Sequence, residues 1–82
     1  MLKPLKAILK LETFGEIMKK KRLDKNLDLD KLAQKSSANA LTVDKIEKGG
    51  NTTLITLLKI ADAMNVDLSE LFAELEKKHR GF

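Results

Sequence analysis

The stretch Asp28-Leu29-Asp30-Lys31-Leu32-Ala33-Gln34-Lys35-Ser36-Ser37-Ala38-Asn39-Ala40-Leu41-Thr42-Val43-Asp44-Lys45-Ile46-Glu47-Lys48-Gly49-Gly50 decides the fold. Asp28 is a good N-cap, since its short carboxylate can accept from an amide two or three residues on; it predicts a helix over 29–36 that buries Leu32 and Ala33. Ser36-Ser37-Ala38 breaks the pattern. Asn39 can cap a second helix, 40–48, with Val43 and Ile46 pointing inward and Gly49-Gly50 as its stop. Each of these helices holds few core residues, and only a three-residue turn joins them.

Upstream, Thr13-Phe14-Gly15-Glu16 matches a capping box, with Thr13 as N-cap and Glu16 three residues later. It starts a main helix near Phe14 that runs to about Lys25, with Phe14, Ile17 and Met18 as its apolar face and Asn26 suited to a left-handed position beyond its end. In residues 1–13, Pro4 suits a first helical position and Leu5, Ile8 and Leu9 share one face. That segment is expected to be an arm, a short extra helix, or the start of one continuous helix. Downstream, Asn51-Thr52-Thr53 is a polar loop whose last residue can cap a helix over 54–64, amphipathic through Leu57, Leu58, Ile60, Ala61 and Met64 and stopped by Asn65. Asp67-Leu68-Ser69-Glu70 is a second capping box, with Val66 and Leu71 at the spacing of a hydrophobic staple. The last helix, 68–78, carries Leu68, Leu71, Phe72 and Leu75 on one stripe, and 79–82 is a tail. Met18, Met64 and Phe72 read as core, and core is the default for the whole stripe, although Leu75 and residues beyond it can alternatively reach a two-fold partner. Period-2 alternation is never sustained, which argues against strands. The expectation is an all-α fold of five helices (about 14–25, 29–36, 40–48, 54–64 and 68–78) forming a domain over 14–78, in which 29–36 and 40–48 make a helix-turn-helix.

Eighty-two residues make one small domain with a thin core, so oligomerisation is expected. The chain has no Cys, which removes disulfides, thiolate zinc sites and thiol catalysis. The single His, His79, leaves no His-based metal cluster or triad. Asp28-Leu29-Asp30 resembles a metal loop only superficially, lacking a Gly and a distal acid at Ca²⁺-loop spacing. The acids elsewhere follow helix-cap spacing, so acid–base catalysis finds no support. No apolar run reaches the ~18 residues of a membrane span. The charged N-terminus without a small-residue cleavage site does not read as a secretory signal. A soluble, cytoplasmic, non-enzymatic module without metal or other cofactor is expected. Its net charge of +4 is uneven: residues 1–25 carry +5, residues 26–76 carry −4, and the tail +3. The basic pole can meet a polyanion by counterion release, or it can be a solvated helix face.

From Phe14 to Phe72 the chain resembles the Cro/phage-repressor-type (Xre-like) helix-turn-helix DNA-binding domains. The resemblance rests on Phe14-Gly15-Glu16, Arg22, Leu27, Leu32-Ala33, Val43, Ile46-Glu47-Lys48-Gly49, Leu57-Leu58-Lys59-Ile60-Ala61, Ala63-Met64-Asn65-Val66 and Leu68-Ser69-Glu70-Leu71-Phe72, in that order. It implies that helix 40–48 enters the major groove while 29–36 braces against the backbone. Carried over by position, Asn39, Ala40, Leu41, Asp44 and Lys45 face the DNA, with Thr42 and Lys48 as further contacts. Asn39 can donate to a phosphate as well as cap its helix. Ala40 and Leu41 suit thymine methyls, Lys45 a guanine edge or a phosphate, Asp44 a cytosine amino group, and Lys48 a phosphate. The resemblance also implies that Arg22 and Glu47 form a partly buried ion pair. Three positions depart from the family's pattern: Leu29 stands where Gln is common, Ser37 where the turn usually has Gly, and Lys21 at a usually apolar position. Ser37 is therefore expected to be left-handed, and the stem of Lys21 to lie along the core.

The expected function is a sequence-specific transcriptional regulator that binds double-stranded DNA as a homodimer, with half-sites about one helical turn (~34 Å) apart. Repressor, restriction–modification controller and antitoxin with a toxin as protein partner all fit such a chain. The alternative is a helix-turn-helix-like protein-interaction module with weak or no DNA binding, to which Leu29, Ala40, Leu41 and Asp44 lend weight.

Overall fold

The computed structural model describes residues 4–79. Over these residues the backbone forms five helices: α1 (Leu5–Asp24), α2 (Leu29–Ser36), α3 (Ala40–Glu47), α4 (Leu54–Met64) and α5 (Leu68–Lys78). Side-chain caps start three of them. Asp28 accepts from the Lys31 amide at 2.7 Å, Asn39 from the Thr42 amide at 2.7 Å, and Thr53 from the Thr56 amide at 3.3 Å. Left-handed non-glycine residues follow the ends of three, and Gly49 (φ 93°) follows α3. Asn26 (φ 58°), Ser37 (φ 57°) and Asn65 (φ 56°) turn the chain sharply, and Asn tolerates that conformation better than Ser does.

Two local readings fail against tertiary structure. No helix begins at Thr13: α1 runs unbroken from Leu5, and the Thr13 hydroxyl donates back to the Leu9 carbonyl at 3.1 Å, as a threonine inside a helix can. The added turns are anchored from α5, where His79 Nε2 lies 2.8 Å from Thr13 Oγ1 and Lys10 Nζ lies 3.2 Å from Glu76. At α5, Asp67 has the extended backbone of an N-cap but makes no side-chain cap bond. The helix is started there by the burial of Val66 and Leu71, the staple pair.

The core is formed by Phe14, Ile17 and Met18 of α1, Leu32 of α2, Val43 and Ile46 of α3, Leu57, Ile60, Ala61 and Met64 of α4, and Val66, Leu71 and Leu75. α1 packs on α5 and α3, and α2 packs on α3 and α4. Phe72 is not core: it is 41% exposed and stacks on Phe14 with ring centroids 5.4 Å apart. Leu58 is likewise exposed, whereas Leu75 is buried, as its place on the apolar stripe implies, and does not reach outward to a partner. Of the expected tail, His79 is buried and residues 80–82 lie outside the described part. Among the described residues no helix is long and apolar enough to cross a membrane.

Candidate nucleic-acid interface

Helix α3 is held by its inner face. Val43, Ile46 and Glu47 are buried, so the opposite face, at i, i+4 and i+7, presents Leu41, Lys45 and Lys48 to solvent. Leu41 is 81% exposed, an unusual place for a leucine on a helix with so little else to cover it.

The C-terminal end of α3 is fixed to α1 by two devices. Arg22 and Glu47 are only 6% and 8% exposed, and they pair bidentately through one guanidinium edge: Nε donates to one carboxylate oxygen at 2.7 Å and Nη2 to the other at 3.1 Å. Nη1 donates to the Leu27 carbonyl at 2.8 Å, so the same guanidinium ties down the loop into α2. The Glu47 hydrogen bonds hold the Arg22 pKa above its ordinary value, against a smaller opposing effect of burial. The second device is Gly15. A Cβ there would lie 2.5 Å from the Ile46 carbonyl oxygen and 2.6 Å from that of Glu47, so only glycine lets α1 come this close to the end of α3.

Around the exposed face the polar groups are unequally free. The Asn39 carbonyl oxygen is occupied by its cap, which leaves its amide N–H groups to donate outward. Asp44, half-buried, pairs with Lys48 at 2.9 Å in the favourable acid-before-base i,i+4 order, so one carboxylate offsets one of the cations of α3. Lys45 is exposed and projects one turn from Leu41. Ala40 and Thr42 are half-buried beside them. On α2 the N-terminal amide is already taken by Asp28, and Leu29 packs against the core. The bracing helix therefore presents Asp30, Lys31, Gln34 and Lys35. Lys21 lies against α5, where its ammonium meets Glu74 at 3.0 Å and Glu70 at 3.3 Å. Hydrogen bonds to Glu74 and then Glu70 raise its pKa. It belongs to the α1–α5 contact and not to the α3 surface.

The fold adds a group that local reading treated only as a loop and a cap. Thr42 and Lys45 of α3 share a shallow concavity of about 410 Å³ with Asn51, Thr52, Thr53 and Thr56. The Thr53 hydroxyl lies 2.9 Å from that of Thr56, at the N-terminal end of α4. A positive helix end, two hydroxyls and an ammonium at one edge of α3 form a surface chemically suited to an anion. The polar run Asn51-Thr52-Thr53 was the only signal in the sequence; its convergence with Thr42 and Lys45 is tertiary.

A helix-turn-helix family profile matches residues 18–71, which include α2, α3, α4 and the Arg22–Glu47 pair. The chain belongs to the Xre-like helix-turn-helix family. For an Xre-like protein its likeness to solved structures is close in shape. The restriction-modification controller protein C.AhdI from Aeromonas hydrophila is 32% identical, with a TM-score of 0.76 over 79% of this chain and 96% of that one. The wild-type restriction-modification controller protein C.Esp1396I is 28% identical, with a TM-score of 0.78 over 85% of this chain and 92% of that one. No curated protein sequence matches the chain significantly. In functional class this Xre-like protein is a DNA-binding transcriptional regulator.

Proposed function

We propose that the chain reads specific double-stranded DNA sequences as a homodimer, inserting α3 into the major groove and working as the regulator of a small transcriptional circuit in the cytoplasm. The observation that carries this reading is the exposed face of α3. Its buried side is fastened by Glu47, Val43 and Ile46, while Leu41 and Lys45 stand outward with nothing of the described chain covering them. In this reading Leu41 and Ala40 take thymine methyls, and Lys45 takes a guanine edge. The Asn39 amide and the Thr42–Thr56 crescent take phosphates on either side and set the register. Lys48 is a weaker phosphate contact, because Asp44 already holds it. Glu47 and Arg22 touch no DNA and position α3. Among repressor, controller and antitoxin, the likeness to two restriction-modification controller proteins favours a controller.

Selection of bound duplexes from a random library tests the proposal. A regulator of this kind enriches a motif of two related half-sites centred about one helical turn apart, and its affinity falls linearly in log Kd against log salt. Failure to enrich any motif, together with no binding at low salt, would overturn it in favour of a protein-interaction module, for which the exposed Leu41 would be the anchor.

A further inference from the structure

The end of α3 carries a glycine that the backbone does not call for. Two hydrogen bonds close the helix there: the Gly49 amide donates to the Ile46 carbonyl at 3.0 Å, and the Gly50 amide to the Lys45 carbonyl at 2.8 Å. In this pattern a left-handed residue turns the chain and the next one bonds back five residues. Gly49, at φ 93°, is the left-handed residue and favours glycine on that ground. Gly50 lies outside the left-handed region, so any residue can take its backbone conformation. The side chain after the left-handed residue ordinarily packs on the one it is bonded back to, which here is Lys45. Gly50 has none, and the lysine fills the space. A Cβ on Gly50 would lie 2.5 Å from Lys45 Cγ, 3.1 Å from its Cε and 2.8 Å from its carbonyl oxygen. The stem therefore touches the bare backbone at two carbons and runs along the loop instead of straight out from α3. Its outer side stays exposed, and with Asn51, Thr52 and Thr56 it lines the concavity at the start of α4. Among the described residues no acid pairs with Lys45, whereas Asp44 holds Lys48 at 2.9 Å.

We propose that Gly50 is a specificity-determining position: by leaving room for the Lys45 stem, it aims the ammonium at one base edge beside the threonines that take a phosphate. The proposal rests on the reading of Lys45 as a base contact of α3 and deepens it. Gly50 touches no DNA; it is a positioning residue that acts through Lys45. The gain is one of preorganisation. A lysine side chain is long and flexible, and fixing its ammonium on a base costs much of its rotamer freedom. A stem already laid down at Cγ and Cε has less freedom to lose. An ammonium with a single reach also separates adjacent base pairs better than one that sweeps along the groove, because the wrong pair leaves it unsatisfied. A methyl on Gly50 displaces the stem from the loop and returns that freedom to the lysine. The same methyl also meets the Lys45 carbonyl, an effect on the loop that persists when the lysine side chain is removed. The two effects are therefore separable.

Competition binding of the full chain, with duplexes carrying each base pair in turn at every position of a selected half-site, tests this. Wild type, Lys45→Ala, Gly50→Ala and the double variant are compared. Lys45→Ala should lower discrimination at one base position by about fivefold or more, the lower end of what a good base-edge contact supplies. Gly50→Ala should lower it by about as much at the same position and leave the other positions within about twofold. In the Lys45→Ala background it should change discrimination by less than about twofold. A folded Gly50→Ala protein that discriminates like wild type, or that weakens binding to all duplexes equally with or without the lysine, overturns the role of Gly50 and leaves Lys45 as a base contact. If Gly50→Ala fails to fold, the wild-type chain decides by nuclear Overhauser contacts. Contacts from the Gly50 α-protons to both the γ- and ε-methylenes of Lys45 support the proposal, and their absence overturns it. Discrimination unaltered by Lys45→Ala overturns the base contact and the role of Gly50 together.

Discussion

Replacing Glu47 by Ala should unfold this protein well before it changes what the protein reads. The substitution removes both acceptors of a guanidinium that is itself 6% exposed, leaving Nε and Nη2 buried without their carboxylate while Nη1 keeps the Leu27 carbonyl. Breaking one side of a buried ion pair costs about 3–5 kcal/mol, most of it the stranded charge and not the lost bonds. A domain of this size has a total stability of roughly 4–12 kcal/mol, so the loss is a large fraction of the whole. At ~4–8 °C per kcal/mol, the melting temperature should fall by at least about 12 °C. Thermal denaturation followed by circular dichroism measures it. The double variant Arg22→Met/Glu47→Leu removes both charges and fills the space, so it should recover much of the loss. Base preference, measured at a temperature where Glu47→Ala is folded, should be unchanged because Glu47 faces α1. A Glu47→Ala melting temperature within a few degrees of wild type would show that the pair is not a buried anchor for α3.

Gly15→Ala should destabilise by about 3 kcal/mol and weaken DNA binding with it, because the new methyl meets the immobile carbonyls of Ile46 and Glu47 and must push α3 away; thermal melts and fluorescence anisotropy read the two effects. Ser37→Gly should stabilise by about 0.5–1 kcal/mol in a urea titration, since relief of a left-handed non-glycine residue slightly exceeds the entropy that glycine adds to the unfolded chain. The pKa of Lys21 is raised by Glu74 and Glu70, so its contribution is fully present below the ordinary lysine value and is lost as pH rises past it. The melting-temperature gap between wild type and Lys21→Met should therefore hold from pH ~7 to 9 and close above ~10.4. Lys45→Ala should lower affinity for the selected duplex and relax preference at one base position while leaving the log Kd–log salt slope unchanged, as loss of a base-edge contact does; a slope smaller in magnitude by about 0.9 would place its ammonium on a phosphate instead.

The helix ends that local chemistry governs were legible in the sequence. Asp28, Asn39 and Thr53 cap where short acceptors should, and Asn26 and Asn65 turn left-handed where helices should stop. Thr13 misled because a threonine followed by a glutamate three residues later is equally compatible with a helix interior once the hydroxyl bonds back to Leu9. What extends α1 to Leu5 is contact with Glu76 and His79, more than sixty residues away. Phe72 was read inward from its stripe, yet Leu71 and Leu75 already fill the space on the core side of α5, and the ring lies over Phe14 at the surface. At α3 the helical period placed Val43 and Ile46 inward, while the outward Leu41 and Lys45 were given by the family resemblance. The Thr42–Thr56 crescent needed the packing of α4 beside α3, which no local pattern encodes.

Amide chemical-shift mapping of the full chain, titrated with its selected duplex, bears most directly on which surface reads DNA. The largest changes should fall at residues 39–45 and 51–56, with small ones along 68–78. Changes concentrated on α5 or on 5–13, with α3 unmoved, would contradict the assignment of α3 as the reading helix.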